Sequence, residues 1–274
     1  MPFTAVVAET GRLTPAMIRL ELEVDRPERF ADLAHTDSYV KLQLPPPNAG
    51  YRAPFDPAEI RNRLPRDQWP RARAITVRAW DGEHRRLTLD VVDHGPGGLA
   101  GPWARATRPG ELVQLTGPGG GYAPQPGYNL HLLVGDEAAL PAIAASLERL
   151  PAGADAIALI EVENAEHEVG LDLARRTPGR RVDLRWLHRT DGIGPLVAAV
   201  RELELPAGSV QAFVHGEADT VREIRRHLLA ERGIRPADLS ASGYWRRDRT
   251  DEDWRAEKPE WKRQVAADLP GQQT

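Results

Sequence analysis

Residues 130–151 read LHLLVGDEAALPAIAASLERLP, and the change of rhythm inside this stretch decides the fold. Its first residues are an apolar run interrupted only by His131, the pattern of a strand buried on both faces of a parallel sheet. From Glu137 onward the apolar residues recur at helical spacing. The same strand-then-helix unit returns downstream: AIALIEV (156–162) with a short helix, RVDLRWL (181–187) with GPLVAAVREL (194–203), VQAFVHG (210–216) with ADTVREIRRHLLAER (218–232), and finally DLSASGYW (238–245). Such alternation predicts a Rossmann-like α/β domain, a parallel sheet of about five strands with helices on both faces. The tail DEDWRAEKPEWKRQVAADL (251–269) reads as one further helix or a pair, with Pro259 as a possible break. Trp254 and Trp261, seven residues apart, share a face and are expected to pack back onto the domain.

Upstream the period is two. FTAVVAE (3–9), MIRLELEV (17–24), YVKLQLP (39–45), AITVRAW (74–80), RLTLDVV (86–92) and ELVQLTG (111–117) alternate apolar and polar residues, which predicts six strands. Turn signals at Asp81-Gly82 and Pro109-Gly110 favour antiparallel neighbours, and closing the sheet into a small barrel removes its exposed edges. A long proline- and arginine-rich loop, 45–70, interrupts the barrel. GPGGG (117–121) looks like a dinucleotide fingerprint but runs into YAPQPGY instead of opening a helix, so it reads as a linker. The expected division is 1–122 for the antiparallel β-barrel and 123–274 for the α/β domain with its helical tail.

The balance of 36 Lys and Arg against 40 Asp and Glu leaves a formal net charge of −4, which gives no bulk attraction for nucleic acid or anionic membrane. Any affinity for anions has to be local. With no cysteine in 274 residues, disulfides, thiolate metal sites and a cysteine nucleophile are all excluded. No histidine or carboxylate spacing suggests a protein-bound metal. The first twenty residues contain no long apolar core, so neither a signal peptide nor a membrane span is expected, and the expected location is cytoplasmic.

RARAITVRAWD (71–81) puts Arg71, Arg73 and Arg78 around a short apolar strand. Together with VKLQLP, DVVDHGPGGLAGPWARATRPGELVQLTGPGG, LLVGDEAALPAIAASLERLP, WLHR, VHGEADTVREIRRHL and LSASGYWRRDRTDEDW, in this order over nearly the whole chain, it resembles the siderophore-interacting protein family of FAD-dependent ferric-siderophore reductases. The resemblance implies a barrel that binds FAD and an α/β domain that receives NADH or NADPH, with a ferric siderophore as substrate and a monomer or weak dimer as the assembly.

Carried over residue by residue, it assigns Arg73 to the FAD pyrophosphate, Thr76 to the polar edge of the flavin and Arg78 to ribose or phosphate. Ile75, Val77, Asp93, His94, Ala100, Gly101, Trp103, Asp136 and Ala138 complete the implied cofactor contacts. Residues 99–105 would present backbone amides to the pyrophosphate. The nicotinamide would enter between the two domains near Gly135, Asp136 and Gly216, with Tyr244 and Trp245 covering the reactive ring. Lys41 and Arg246 would anchor an anionic siderophore; Arg52, Arg61, Arg63 and Arg66 are looser candidates for the same task. Arg222, Arg225 and Arg226 read either as a site for a 2′-phosphate or as a solvated helix face. Three positions depart from the family: Ile75 where tyrosine is usual, Gly101 where a small hydroxyl residue is usual, and Ala138 in place of threonine. Each removes a polar or aromatic contact, which keeps open a diverged member with altered or lost flavin chemistry, a non-redox enzyme or a small-molecule binding protein. A general flavin reductase serving another enzyme is a third reading.

Overall fold

The computed structural model describes residues 2–95, 97–171, 179–190 and 194–268. The chain divides into two compact units, Met1–Gly121 and Tyr122–Thr274.

In the first unit the six period-two segments form β1 (Phe3–Thr14), β2 (Met17–Val24), β3 (Tyr39–Leu44), β4 (Arg71–Asp81), β5 (Arg86–Val92) and β6 (Leu112–Gly119). They close into an antiparallel barrel in the order β1-β2-β5-β4-β3-β6. The inward positions Ala5, Leu20, Leu22, Val40, Leu42, Leu87, Leu89 and Leu115 fill it with apolar side chains. The barrel wall is uneven at β4. Its ladder with β3 covers Arg71–Thr76, whereas its ladder with β5 covers only Val77–Asp81, with a register shift between Val77 and Ala79. The first half of β4 therefore lies outside the β5 ladder, along a seam in the wall. The long loop is not structureless: it holds α1 (Pro57–Arg63), whose first amides Asp56 caps by accepting from Ala58 N at 2.7 Å, and a 3-10 turn at Arg66–Gln68. A second short helix, α2 (Ala100–Ala106), follows β5 and packs on β5 and β2. The GPGGG stretch is only partly a connector, since β6 continues to Gly119 before the chain leaves the barrel.

In the second unit β7 (Leu130–Asp136), β8 (Asp155–Val162), β9 (Val182–His188), β10 (Val210–Glu217) and β11 (Leu239–Trp245) form a parallel sheet in the order β11-β10-β7-β8-β9. The connecting helices are α3 (Leu140–Glu148), α4 (Leu196–Glu202) and α5 (Ala218–Ala230). Between β8 and β9 a 3-10 turn occupies Ala165–His167; the remainder of that connection, where the short helix is expected, includes residues 172–178 and lies outside the described residues.

The tail is a single helix, α6 (Asp251–Ala267), with Pro259 inside it. Proline removes one hydrogen bond there, but a capping box at Thr250 and Asp253 fixes the start. Trp254 and Trp261 are buried in the domain core and meet edge to face at 5.7 Å, which holds both halves of the helix on the same surface. Trp261 Nε1 also donates to Ala218 O at 3.2 Å. Among the described residues no helix is long and apolar enough to cross a membrane.

Candidate functional site

In the barrel unit the site is built on β4. Register pairs Arg73 with Leu42, Ile75 with Val40 and Thr76 with Tyr39. Directly paired residues of an antiparallel ladder project to the same face. Arg73, Ile75 and Val77 thus share the face of Val40 and Leu42, while Thr76 lies on the opposite face beside Tyr39. Arg73 is only 9% exposed, and its Nη1 donates to Ala72 O at 3.1 Å. Ile75 packs against the barrel core together with Ala100 and Trp103 of α2, so an aliphatic side chain at 75 adds to that core. Arg78 falls at the register shift, a place where a bulge re-aims a side chain. The strand does not, then, present its arginines as one uniform row.

Lys41 is exposed, pairs with Ala74, and lies with its Nζ 5.9 Å from the Tyr39 ring centroid. His94 is exposed. Asp93 is buried and already occupied: it accepts from Arg105, from Arg12 at 3.4 Å and from Gly95 N at 3.2 Å. This explains the glycine at 101. A Cβ there would stand 2.8 Å from Asp93 Oδ1 and 3.1 Å from Asp93 Cα, so the first turn of α2 reaches Asp93 only without a side chain. Gly97 and Gly98, by contrast, have open space where a Cβ would be.

An elongated dianionic group needs guanidinium partners, a hydroxyl and backbone that can be approached closely. Arg73, Thr76 and Arg78 on β4, and the glycine backbone at 97–98 with open space at its Cβ positions, are groups of these kinds. Residue types that suit a dinucleotide flavin are thus present in this unit, while Ile75 is packed against the barrel core.

In the α/β unit the carboxyl ends of the strands surround a cavity of about 190 Å3. Asp136, Glu161, Arg189, His215, Glu217 and Trp245 are among its lining residues. Asp136 ends β7, and both of its oxygens are used: Oδ1 accepts from Ala138 N at 2.9 Å, and Oδ2 accepts from Glu217 N at 2.9 Å and Trp245 Nε1 at 2.7 Å. Burial pushes its carboxyl up to about 6, against the hydrogen bond from Trp245, which favours the charged form. Gly216 has φ +142, and a Cβ on it would lie 2.6 Å from Asp136 Oδ2, so glycine lets β10 approach this carboxylate.

Arg189, just after β9, donates to Glu137 at 2.6 and 2.9 Å, to Glu161 at 2.9 Å and to Glu163 at 3.3 Å. These carboxylates hold its guanidinium firmly in the charged form although burial opposes it. His215 stacks on Phe213 at 3.8 Å and bonds Ser240 at 2.9 Å; burial, the largest cause, drives its pKa down to about 3. It is a neutral ring at ordinary pH.

The structure thus gathers Asp136, Ala138 and Trp245 at one place, as the chain order suggested. Tyr244 lies edge-on against His215 at 5.1 Å. Arg246 is held between Asp219 at 3.2 Å and Glu257 at 3.1 Å. Arg222 bonds Asp268 at 2.6 and 3.0 Å, and Arg225 donates to Val265 O at 2.8 Å, so these two strap α6 onto α5 instead of forming a solvated face. Sequence reasoning passed over Glu161, Arg189 and Glu217. A signal existed for two of them: Glu161 is a charge near the end of an otherwise apolar buried strand, and Glu217 stands where β10 turns into α5, whose Thr220 N it caps at 2.8 Å. Among the described residues no group of three or more His, Asp or Glu could hold a metal ion.

A flavin-type barrel followed by a parallel α/β unit defines the class, and comparison with known proteins places the chain within it. Residues 6–122 match the siderophore-interacting FAD-binding domain and residues 128–248 match the siderophore-interacting protein domain. The chain belongs to the siderophore-interacting protein family. It is 38% identical, over 95% of its own length and 94% of the relative's, to an uncharacterized protein of Mycobacterium tuberculosis. It is 34% identical to the ferric vibriobactin reductase of Vibrio cholerae over 69% of either chain. The crystal structure of a siderophore utilization protein from T. fusca superposes with TM-score 0.75 at 33% identity, covering 92% of this chain and 95% of that one.

Proposed function

We propose that the protein is a flavin-dependent oxidoreductase that takes electrons from a reduced nicotinamide dinucleotide and reduces ferric siderophores, so that the iron leaves as the more weakly bound ferrous ion. The observation that carries this reading is the β4 strand, with Arg73, Thr76 and Arg78 along a seam of the barrel in a segment that matches a siderophore-interacting FAD-binding domain. The similarity to a ferric vibriobactin reductase supports the substrate class.

A bound flavin supplies the conversion between a two-electron donor and a one-electron acceptor. The chain's own residues hold and orient. Arg73 and Arg78 neutralise and fix the diphosphate, a strand being stiffer than a loop for this purpose. Thr76 offers a hydroxyl to the polar edge of the ring, Ile75 and Val77 exclude water on the barrel side, and Ala100 with Trp103 anchors α2 on the barrel core. Asp93 acts through Arg105 and Gly95, ordering the turn before α2, and is a positioning residue. In the α/β unit, Asp136 fixes the Trp245 indole by accepting its N–H. Lys41, exposed on the outer face of β3, offers a cation to an anionic siderophore; Arg246 is shared by two carboxylates, so its net pull on an anion is weaker. None of these residues transfers a proton to iron, and none needs to.

The test uses the purified protein. It is expected to be yellow, or to become so with FAD, to bleach under anaerobic NADH or NADPH, and to recover its colour when a ferric siderophore is added while a ferrous-specific chelator reports iron release. Protein that stays colourless with excess FAD would overturn the assignment, and equal reoxidation by free flavin or dyes with no response to iron complexes would reassign it as a general flavin reductase.

A further inference from the structure

Resting on the reading of the α/β cavity as the donor site, we infer that this cavity selects NADH over NADPH, with Glu161 and the carboxylates around Arg189 as the specificity-determining groups. The two donors differ by one dianionic phosphate on a ribose hydroxyl, so everything they share cancels in the comparison. What remains is whether the site meets that ribose with cations or with carboxylates.

Two of the cations on α5 that could receive a phosphate are engaged. Arg222 forms a paired bond with Asp268 and Arg225 is tied to the backbone of α6. Arg226 is exposed, with Asp268 near enough to feel its charge. Arg189 does line the cavity, but Glu137, Glu161 and Glu163 all stand within 3.3 Å of its guanidinium, so its positive charge is more than offset where it sits. Arg247 lines the cavity too, and its backbone N–H donates to Glu217 at 3.3 Å. Against two guanidinium groups the lining places Asp136, Glu161 and Glu217. His215 adds no cation, because burial keeps the ring neutral.

The placement of Glu161 strengthens the point. It lies near the carboxyl end of β8, the neighbour of the first strand of this sheet, where an acidic residue in dinucleotide-binding folds accepts hydrogen bonds from a free ribose diol. Only the unphosphorylated ribose has that diol to donate. A phosphate in its place faces like charge at short range in a partly buried site, where screening is weak.

NADH and NADPH titrated separately into the intact, FAD-loaded protein whose flavin has first been reduced anaerobically, so that no hydride is consumed, with nicotinamide fluorescence as readout, test this directly. At low salt NADH is expected to bind about tenfold or more tightly than NADPH, and the ratio is expected to shrink as ionic strength rises. Glu161→Gln should narrow the ratio several-fold by improving NADPH binding. Because Glu161 also holds Arg189 and Leu196 N, Glu163→Gln serves as a second variant at a more exposed partner of the same guanidinium, with a smaller narrowing. A general loss of folding would weaken both dinucleotides alike and leave the ratio unchanged. Equal affinities, a preference for NADPH, or a ratio that neither variant moves while NADH still binds each variant as tightly as wild type would overturn the inference. Binding of neither dinucleotide would instead overturn the donor-site reading on which it rests.

Discussion

The two units set their arginines in different surroundings. On β4 Arg73 is buried on the face of Leu42 beside a seam in the barrel wall, and it donates to Ala72 O. At the sheet edge of the α/β unit Arg189 is enclosed by carboxylates, and on α5 Arg222 and Arg225 serve as straps. The lesson is that the neighbours of a guanidinium, and not its presence in the sequence, decide what it does. A count of arginines along the chain cannot distinguish the two situations.

The largest effect that tests this contrast concerns the carboxylates. The Asp136 carboxyl goes from 3.8 in the unfolded chain to about 6 when buried. The native state therefore binds the extra proton between these values, and stability falls as pH rises through that window. The cost is absent below pH 3.8 and complete above about 6, amounting to about 3 kcal/mol from a shift of roughly two units. The difference in urea-unfolding free energy between wild type and Asp136→Asn should follow that curve. A difference independent of pH from 4 to 7 would show that this carboxyl is not perturbed.

Next is Arg73→Ala, which removes charge-assisted bonds to a diphosphate and should weaken FAD binding by about ten- to a hundred-fold, some 1.5–3 kcal/mol. Flavin fluorescence titration measures it, and an unchanged affinity would relocate the phosphate site.

Gly101→Ser sharpens the comparison inside the barrel unit. The new Cβ must displace the Asp93 carboxylate or α2, and a loss of about 1.5 kcal/mol is expected in thermal or urea melts. A serine that stabilises the protein would mean that α2 has room to move.

Smallest is Arg222→Ala. Loss of the partly exposed pair with Asp268 should cost about 1 kcal/mol or less and leave the NADPH-to-NADH ratio unaltered. A selective loss of NADPH binding would assign this arginine to the phosphate after all.

Much of the architecture was legible in the chain. All six barrel strands and all five parallel strands announce themselves by period two or by apolar runs, and LHLLVGDEAALPAI marks the change of regime between them. The departures have local causes. Pro259 reads as a break, yet two tryptophans docked in one core hold the helix continuous across it. The glycine stretch after Thr116 reads as linker, yet β3 recruits Gly119 into the barrel through its pairing with Tyr39. In the site, Gly101 looks like a lost hydroxyl until Asp93 is seen to occupy the space, and Ile75 looks like a lost platform until its register with Val40 is known.

The amino-acid sequence by itself determined which segments are strands and helices, that two units follow one another, and the family to which they belong, because periodicity and motif order are written within a dozen residues at a time. Tertiary structure alone decided which partners each charge meets. The partners of Arg189, Arg222 and Arg246 lie 11 to 52 residues away in the chain. An ion pair falls off with distance in space and is indifferent to distance along the sequence, so only the folded chain could settle which partners each guanidinium meets.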